Sequence, residues 1–152
     1  MNSNPIELHE RSLANLPSSV KVPAYDRAAV TAGIVHFGVG GFHRAHQAAY
    51  THELLEAGQT EWGIIGAGFL PRDRAMRDAL ERQDCLYTLV EQSAKAATAR
   101  VIGSIREYLY APEAAERLLD LLASRQTRIV SMTVTEGGYF YDFSTRRLRE
   151  DH

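Results

Sequence analysis

Apolar residues fall along this chain in two patterns that alternate. Runs rich in branched and aromatic residues predict strands at Thr31–Phe37, Trp62–Ala67, Tyr87–Glu91, Ala99–Ile105 and Arg128–Thr135. The Trp62–Ala67 run is almost wholly apolar, as a strand buried on both faces of a parallel sheet would be. Helical spacing takes over between the runs. Phe42–Ala57 reads as one helix with Ala45, Ala48 and Ala49 as a small-residue face, and Gly58 stands where a left-handed C-cap belongs. Asp73–Arg82 predicts a second helix, with Met76, Ala79 and Leu80 on one side. A third is expected from Pro112, with Glu113 and Glu116 in its first turn and Ala115, Leu118, Leu119 and Leu122 at the spacing of a buried face. Gln92–Thr98 reads as a polar bend whose flanking strands pair antiparallel.

Strands that alternate with amphipathic helices imply crossover units, hence an α/β fold with a doubly wound, mostly parallel sheet. Residues 1–28 stand outside the alternation as a leader, and residues 29–152 form the expected domain. A short helix fits Glu7–Asn15 before Pro17 and Pro23 interrupt regular structure. Gly137-Gly138 closes the last strand, and Tyr139–His152 is polar and broken.

Composition narrows the class without naming it. A chain of 152 residues, 45% hydrophobic and 24% charged, suits one globular domain with a real core. A net charge of −2, with dispersed arginines, gives no general pull toward nucleic acid or an anionic membrane. No apolar run has signal-peptide or membrane-spanning length, so the expected compartment is the cytoplasm. The one cysteine, Cys85, cannot close an intrachain disulfide; it reads as an isolated small residue, with a reactive thiol as the alternative.

The chemistry concentrates where the first strand ends, at Phe37-Gly38-Val39-Gly40-Gly41-Phe42-His43-Arg44. A strand, a glycine cluster and then a helix is the order that brings backbone amides against a phosphate. Gly38 suits the tight turn, and Gly40 lets the backbone approach an anion. The helix start carries His43, Arg44 and His46 and no acid before Glu53, although a helix N-terminus favours acids. A bound pyrophosphate would offset those cations. Spacing alone leaves open a turn that needs glycine only for its shape. The third glycine of the dinucleotide fingerprint would fall at position 43, which His43 occupies.

The longer string Gly38-Val39-Gly40-Gly41-Phe42-His43-Arg44-Ala45-His46-Gln47 resembles the nucleotide-binding motif of the mannitol dehydrogenase family of polyol-specific long-chain dehydrogenases. Trp62-Gly63-Ile64-Ile65-Gly66, Gly103-Ser104-Ile105 and Thr133-Val134-Thr135-Glu136-Gly137-Gly138-Tyr139 are similar to later family segments, in the family's order. The resemblance runs from about Val20 to the end. It implies a Rossmann-like NAD-binding domain, truncated before the helical substrate domain. It also implies hydride transfer between a sugar alcohol or sugar acid and its ketose or keto acid. In the family a lysine of that helical domain acts as base, so no catalytic residue is assigned in this chain.

The expected cofactor-binding set is Phe37, Gly38, Val39, Gly40, Gly41, Phe42, His43, Arg44, Asp73, Thr135 and Glu136. Arg44 would screen a phosphate and His43 would donate to one. Asp73, past the second strand, can accept from both adenosine ribose hydroxyls or can serve as a helix N-cap. Arg72 beside it welcomes a 2′-phosphate, so NAD is the expected cofactor with NADP as the alternative. Thr135 and Glu136 follow the last strand, at the edge where ligands bind, and Glu136 reads equally as an exposed acid before a turn. Three rival readings remain. His43, His46 and His52 have the spacing of partial metal ligands but lack a partner set, and the resemblance points away from metal. A methyltransferase-like fold would leave Arg44 and the acid-free helix start unexplained. A nucleotide-binding module without chemistry would share every feature above.

Overall fold

The two most apolar runs, around Ile34-Val35 and Ile64-Ile65, lie side by side and set the position of everything else. They belong to a computed structural model that describes residues 7–94, 96–134, 141–142 and 144–148. In chain order its strands are β1 (Val20–Lys21), β2 (Ala32–Phe37), β3 (Gly63–Gly68), β4 (Tyr87–Gln92), β5 (Ala97–Ile102), β6 (Ile105–Tyr110), β7 (Ile129–Met132), β8 (Tyr141–Asp142) and β9 (Arg147–Leu148). The helices are α1 (Gly41–Ala45), α2 (Gln47–Glu56), α3 (Pro71–Arg82) and α4 (Ala115–Ala123).

The main sheet has the order β6-β3-β2-β7, and each neighbouring pair in it is parallel. Its faces are covered separately. Ile34, Ile64 and Ile105 pack with Ala48 of α2 and Leu80 of α3 on one side. Val35, Ile65 and Leu109 pack with Leu118 of α4 on the other. Alternation along each strand puts successive side chains into opposite layers, so helices on both faces are required. The fold is the doubly wound, Rossmann-type arrangement. The chain runs outward from β2 through β3 to β6, then returns past β2 to β7. The order of strands therefore reverses beside β2, and such a switch point is where open α/β sheets bind ligands.

Several expected elements shift. The run predicted as one strand over Ala99–Ile105 divides at Gly103-Ser104. Ser104 is fully buried, and its hydroxyl donates to the Ala48 carbonyl at 2.6 Å. The part before the break is β5, which pairs antiparallel with β4 and parallel with β1 in a separate three-stranded sheet. The part after it opens β6, an edge strand of the main sheet that tolerates Arg106 and Glu107 because their charged ends reach Glu10 and Arg117. Pro112 lies in a turn, and α4 starts after its N-cap Ala114. Leu118, Leu121 and Leu122 face the core, whereas Leu119 is 65% exposed.

The predicted helix over Phe42–Ala57 breaks at His46, whose backbone leaves the helical region at φ −119°, ψ −86°. Its ring Nδ1–H reaches the Phe42 carbonyl at 2.8 Å and competes with the helical ladder there. Gly58 adopts φ +85°, and the bonds from Gly58 N–H to Leu55 O and from Gln59 N–H to Leu54 O close α2 as a Schellman cap. The segment before Thr31 is tied to the frame. Arg27, buried, donates to the carbonyls of Asp84 (2.7 Å), Gly103 (3.1 Å) and Ile105 (3.1 Å) and pairs with Glu10. Among the described residues no helix is long and apolar enough to cross a membrane.

Candidate functional site

At the end of β2 the backbone turns sharply. Gly38 takes φ +84°, a region costly for residues with a Cβ, and its N–H donates to the Ala67 carbonyl of β3 at 2.9 Å. Gly40 differs. Its φ of −83° suits any residue, and a Cβ built on it would meet only the Gly38 carbonyl oxygen, at 4.0 Å. A Cβ on Gly41 would meet nothing within 4 Å. The fold therefore needs glycine at 38 but not at 40 or 41. Those two supply open space above the backbone. The N–H groups of Gly41, Phe42 and His43 begin α1 without helical acceptors, and no side chain caps them among the described residues.

That space belongs to a cleft of about 370 Å³ lined by Gly38, Val39, Gly40, Arg72, Asp73, Met76, Tyr108 and Thr133. Val39 is only 3% exposed, and its side chain fills the room left by Gly66. Asp73 stands at the third position of α3 rather than at its N-cap, which is Leu70. One carboxylate oxygen accepts from the Leu70 N–H at 2.9 Å, fixing the side chain over Gly68. Burial, and then the charge of Asp73, pushes the Tyr108 phenol up to about 12, so this tyrosine stays a neutral donor or acceptor. Arg44 lies on the same side, with Nη1 3.2 Å from the Met76 sulfur and its guanidinium over the Tyr87 ring.

His43 does not face the groove. It is 1% exposed, its ring stacks on His36 with centroids 3.7 Å apart, and neither ring nitrogen has a partner among the described residues. The expected phosphate donor is thus a packing element: where the fingerprint puts glycine for close helix–strand contact, two stacked imidazoles fill the gap. Burial is the main cause that pushes His43 down to about 3, with His36 and Arg44 adding to it, and burial also lowers His36. His46 stacks on exposed Phe42, and His52 bonds to Tyr25, so the three histidines of the helical stretch meet different surroundings. Among the described residues no three of His, Cys, Asp and Glu converge as metal ligands. Cys85 is buried.

Phe37 stacks on Phe69 at 5.2 Å, and its carbonyl accepts from the Thr133 N–H, which anchors the chain leaving β7. Thr135 and Glu136 lie outside the described residues. Tyr108, Met76 and Thr133 line the cleft, although the sequence pattern does not single them out. Tyr108 is hidden because β6 itself is not apparent in the sequence, and a lone threonine at a strand end carries no distinctive signal.

The buried histidines make stability depend on acidity. The His43 imidazole titrates near 6.5 when unfolded and near 3 when folded, so the unfolded chain binds more protons throughout that window. Stability is full above pH 6.5 and falls as the pH drops toward 3, by up to about 1.4 kcal/mol per pH unit for each such histidine. Urea unfolding at about pH 7 and about pH 5 should show the loss, and His43→Phe, which keeps a stacked ring, should reduce it. An equal acid loss in His43→Phe would mean that His43 is not kept neutral by the fold.

Residues 32–149 match the mannitol dehydrogenase Rossmann domain. This chain belongs to the mannitol dehydrogenase family. It is 50% identical over 154 aligned residues to the mannitol 2-dehydrogenase of Aspergillus clavatus, spanning 97% of this chain and 31% of that protein. It is 46% identical over 140 residues to that of Pyricularia oryzae, spanning 91% and 28%. Among solved structures, the Pseudomonas fluorescens mannitol 2-dehydrogenase, in a ternary complex with NAD and D-mannitol, superposes with a TM-score of 0.85 at 47% identity. That match spans 94% of this chain and 30% of the neighbour. A substrate-free D-sorbitol dehydrogenase gives 0.82 at 40% identity, spanning 97% and 31%. The chain thus spans about a third of the length of its mannitol dehydrogenase family relatives.

Proposed function

We propose that this chain is the NAD-binding part of an oxidoreductase that interconverts a polyol, mannitol-like, or a hexonate with its ketose or keto acid. The observation that carries this reading is the open space at Gly40: a glycine the fold does not require, heading a cleft at the switch point of the sheet. The donor set fits a dinucleotide. The N–H groups of Gly41, Phe42 and His43 point into the start of a helix with no acid among its residues, a site for pyrophosphate. Arg44 and Arg72 add positive charge on the Asp73 side of the turn. Asp73, with one oxygen spent on Leu70, keeps the other for the adenosine ribose. Thr135 and Glu136 are assigned to the nicotinamide or substrate end.

NAD, when bound, supplies the hydride acceptor for a secondary alcohol. The residues of this chain bind and orient it, and we assign no base among them for the alcohol proton. The names of the relatives support a sugar alcohol as substrate of the whole protein. The single cysteine, buried, supports a reducing compartment such as the cytoplasm. A second reading is a nucleotide-binding module without chemistry. Turnover of mannitol or fructose by the chain alone separates the two.

Asp73 gives the test of the cofactor assignment. Asn accepts from the Leu70 N–H as Asp does, so Asp73→Asn should leave stability within about 1 kcal/mol. The preference for NADH over NADPH should shrink by about tenfold, roughly 1.4 kcal/mol, because repulsion of a 2′-phosphate is lost and Arg72 remains. Paired titration of parent and variant with both cofactors measures it. An unchanged preference in a folded variant would confine Asp73 to its helix.

A further inference from the structure

Residues 20–27 meet the C-terminal part of α2 around one buried side chain, His52, which is 5% exposed. Three other groups converge on its ring. The Tyr25 hydroxyl lies 2.9 Å from Nδ1, the Gly103 N–H reaches the same nitrogen at 3.4 Å, and Nε2 lies 3.6 Å from Glu56 Oε1. Glu56 Oε1 also accepts from the Ala24 N–H at 3.0 Å. The leader is thus held twice here, at Ala24 through the carboxylate and at Tyr25 through the ring. A few residues earlier, Val20 and Lys21 pair with Ala99 and Arg100 of β5.

The backbone settles which ring nitrogen carries the proton. An amide N–H only donates, so Nδ1 must be the accepting nitrogen. The ring proton then sits on Nε2, toward Glu56, and Tyr25 donates to Nδ1. Burial pushes the Tyr25 phenol up, so that donor keeps its proton. A second proton on the ring can go only to Nδ1. It would set two N–H groups against each other at Gly103 and oblige Tyr25 to turn from donor to acceptor. The charges facing the ring are Glu53 and Glu56 of α2, Arg27 of the leader and Arg100 of β5. Arg100 holds Glu53 at 2.9 Å, which leaves Glu56 as the carboxylate beside His52. Burial outweighs that carboxylate and holds His52 below the usual histidine range.

We propose that Tyr25, His52 and Glu56 form an acid-sensitive latch, which fastens residues 20–26 to α2 while His52 is neutral and releases them when Nδ1 takes a proton. In the released state His52 titrates near 6.5, and in the latched state lower. The released state therefore binds more protons, and acid favours it. The latch is at full strength above pH 6.5 and weakens as the pH falls below it. Release uncovers the edge of β5 that β1 covers, while Arg27 stays anchored on the Asp84, Gly103 and Ile105 carbonyls.

Hydrogen exchange of the 152-residue chain, corrected for the intrinsic rate, reads the latch directly. Between about pH 7 and about pH 5.5, protection of the Ala24 and Gly103 amides should fall at least about threefold more than that of β2 and β3 amides. His52→Asn puts a non-titrating acceptor oxygen where Nδ1 stands and should remove the extra acid loss at Ala24. Tyr25→Phe keeps the packed ring without its hydroxyl and should lower Ala24 protection at about pH 7, by about threefold to tenfold. In the parent, ¹⁵N shifts of the His52 ring should show Nδ1 unprotonated at neutral pH. A protonated Nδ1 there, or Ala24 protection that follows β2 and β3 in acid, would overturn the latch. So would an acid loss at Ala24 in a folded His52→Asn chain as large as in the parent.

Discussion

Gly40→Val should leave the chain folded and abolish NADH binding. The backbone at Gly40 is already in an extended region open to valine, and the new Cβ meets no atom closer than 4.0 Å. The cost to folding is that of a poor N-cap, about 1 kcal/mol. The branched side chain, however, enters the space where a phosphate must approach the amides of α1. Affinity should fall at least about a hundredfold, roughly 3 kcal/mol. Circular dichroism and a binding titration on the same sample separate the two effects. Gly38→Ala is the contrasting case. At φ +84° an added Cβ costs about 1–2 kcal/mol in the fold itself, so stability and binding should decline together. A folded Gly40→Val chain that still binds NADH would mean that the nucleotide sits elsewhere.

The largest loss of stability is expected from Arg27→Met. Arg27 is 6% exposed and serves three backbone carbonyls from two segments far apart in sequence, Asp84 and the Gly103–Ile105 stretch. Methionine replaces the packing volume but none of the donors. Three carbonyls lose their partner, and Glu10 loses the charge beside it. Breaking one side of such a buried ionic and hydrogen-bonded group costs about 3–5 kcal/mol. For a chain of this size that is a drop in Tm of roughly 10 °C. The turn at Asp84 and Cys85, with φ of 50° and 58°, should loosen first, because the Asp84 carbonyl is one of the three acceptors. Arg27→Lys keeps the charge but cannot reach all three carbonyls, and it should fall between parent and methionine variant. Urea unfolding of Arg27→Met within about 1 kcal/mol of the parent would contradict this role.

The frame of the domain is legible in the sequence because local pattern and burial agree in it. Ile34-Val35 and Ile64-Ile65 are apolar on consecutive positions, as strands covered on both faces must be, and the glycine turn comes directly after the first of them. β6 is not legible. Its Arg106 and Glu107 break the apolar run, and they are tolerated only because β6 is an edge strand with charged neighbours on other elements. Likewise nothing local announces the break at His46, which comes from one side chain reaching back to a carbonyl. Asp73 and Arg72 are readable as cleft residues from their place after the second strand. The fate of His43 is not, because only the stacked ring of His36, brought in by tertiary packing, shows that it is buried. Residues that meet across the sheet, such as Ser131 with Gln47 and His36, have no signature in the order of the chain.

The central claim is that the Gly38–Gly41 turn and the start of α1 hold a pyrophosphate. Calorimetric titration of the chain with NADH and with free adenosine, which keeps the base and ribose but has no phosphate, tests it most directly. NADH should bind measurably and adenosine at least about tenfold more weakly. Equal affinity for the two would show that the turn holds no pyrophosphate.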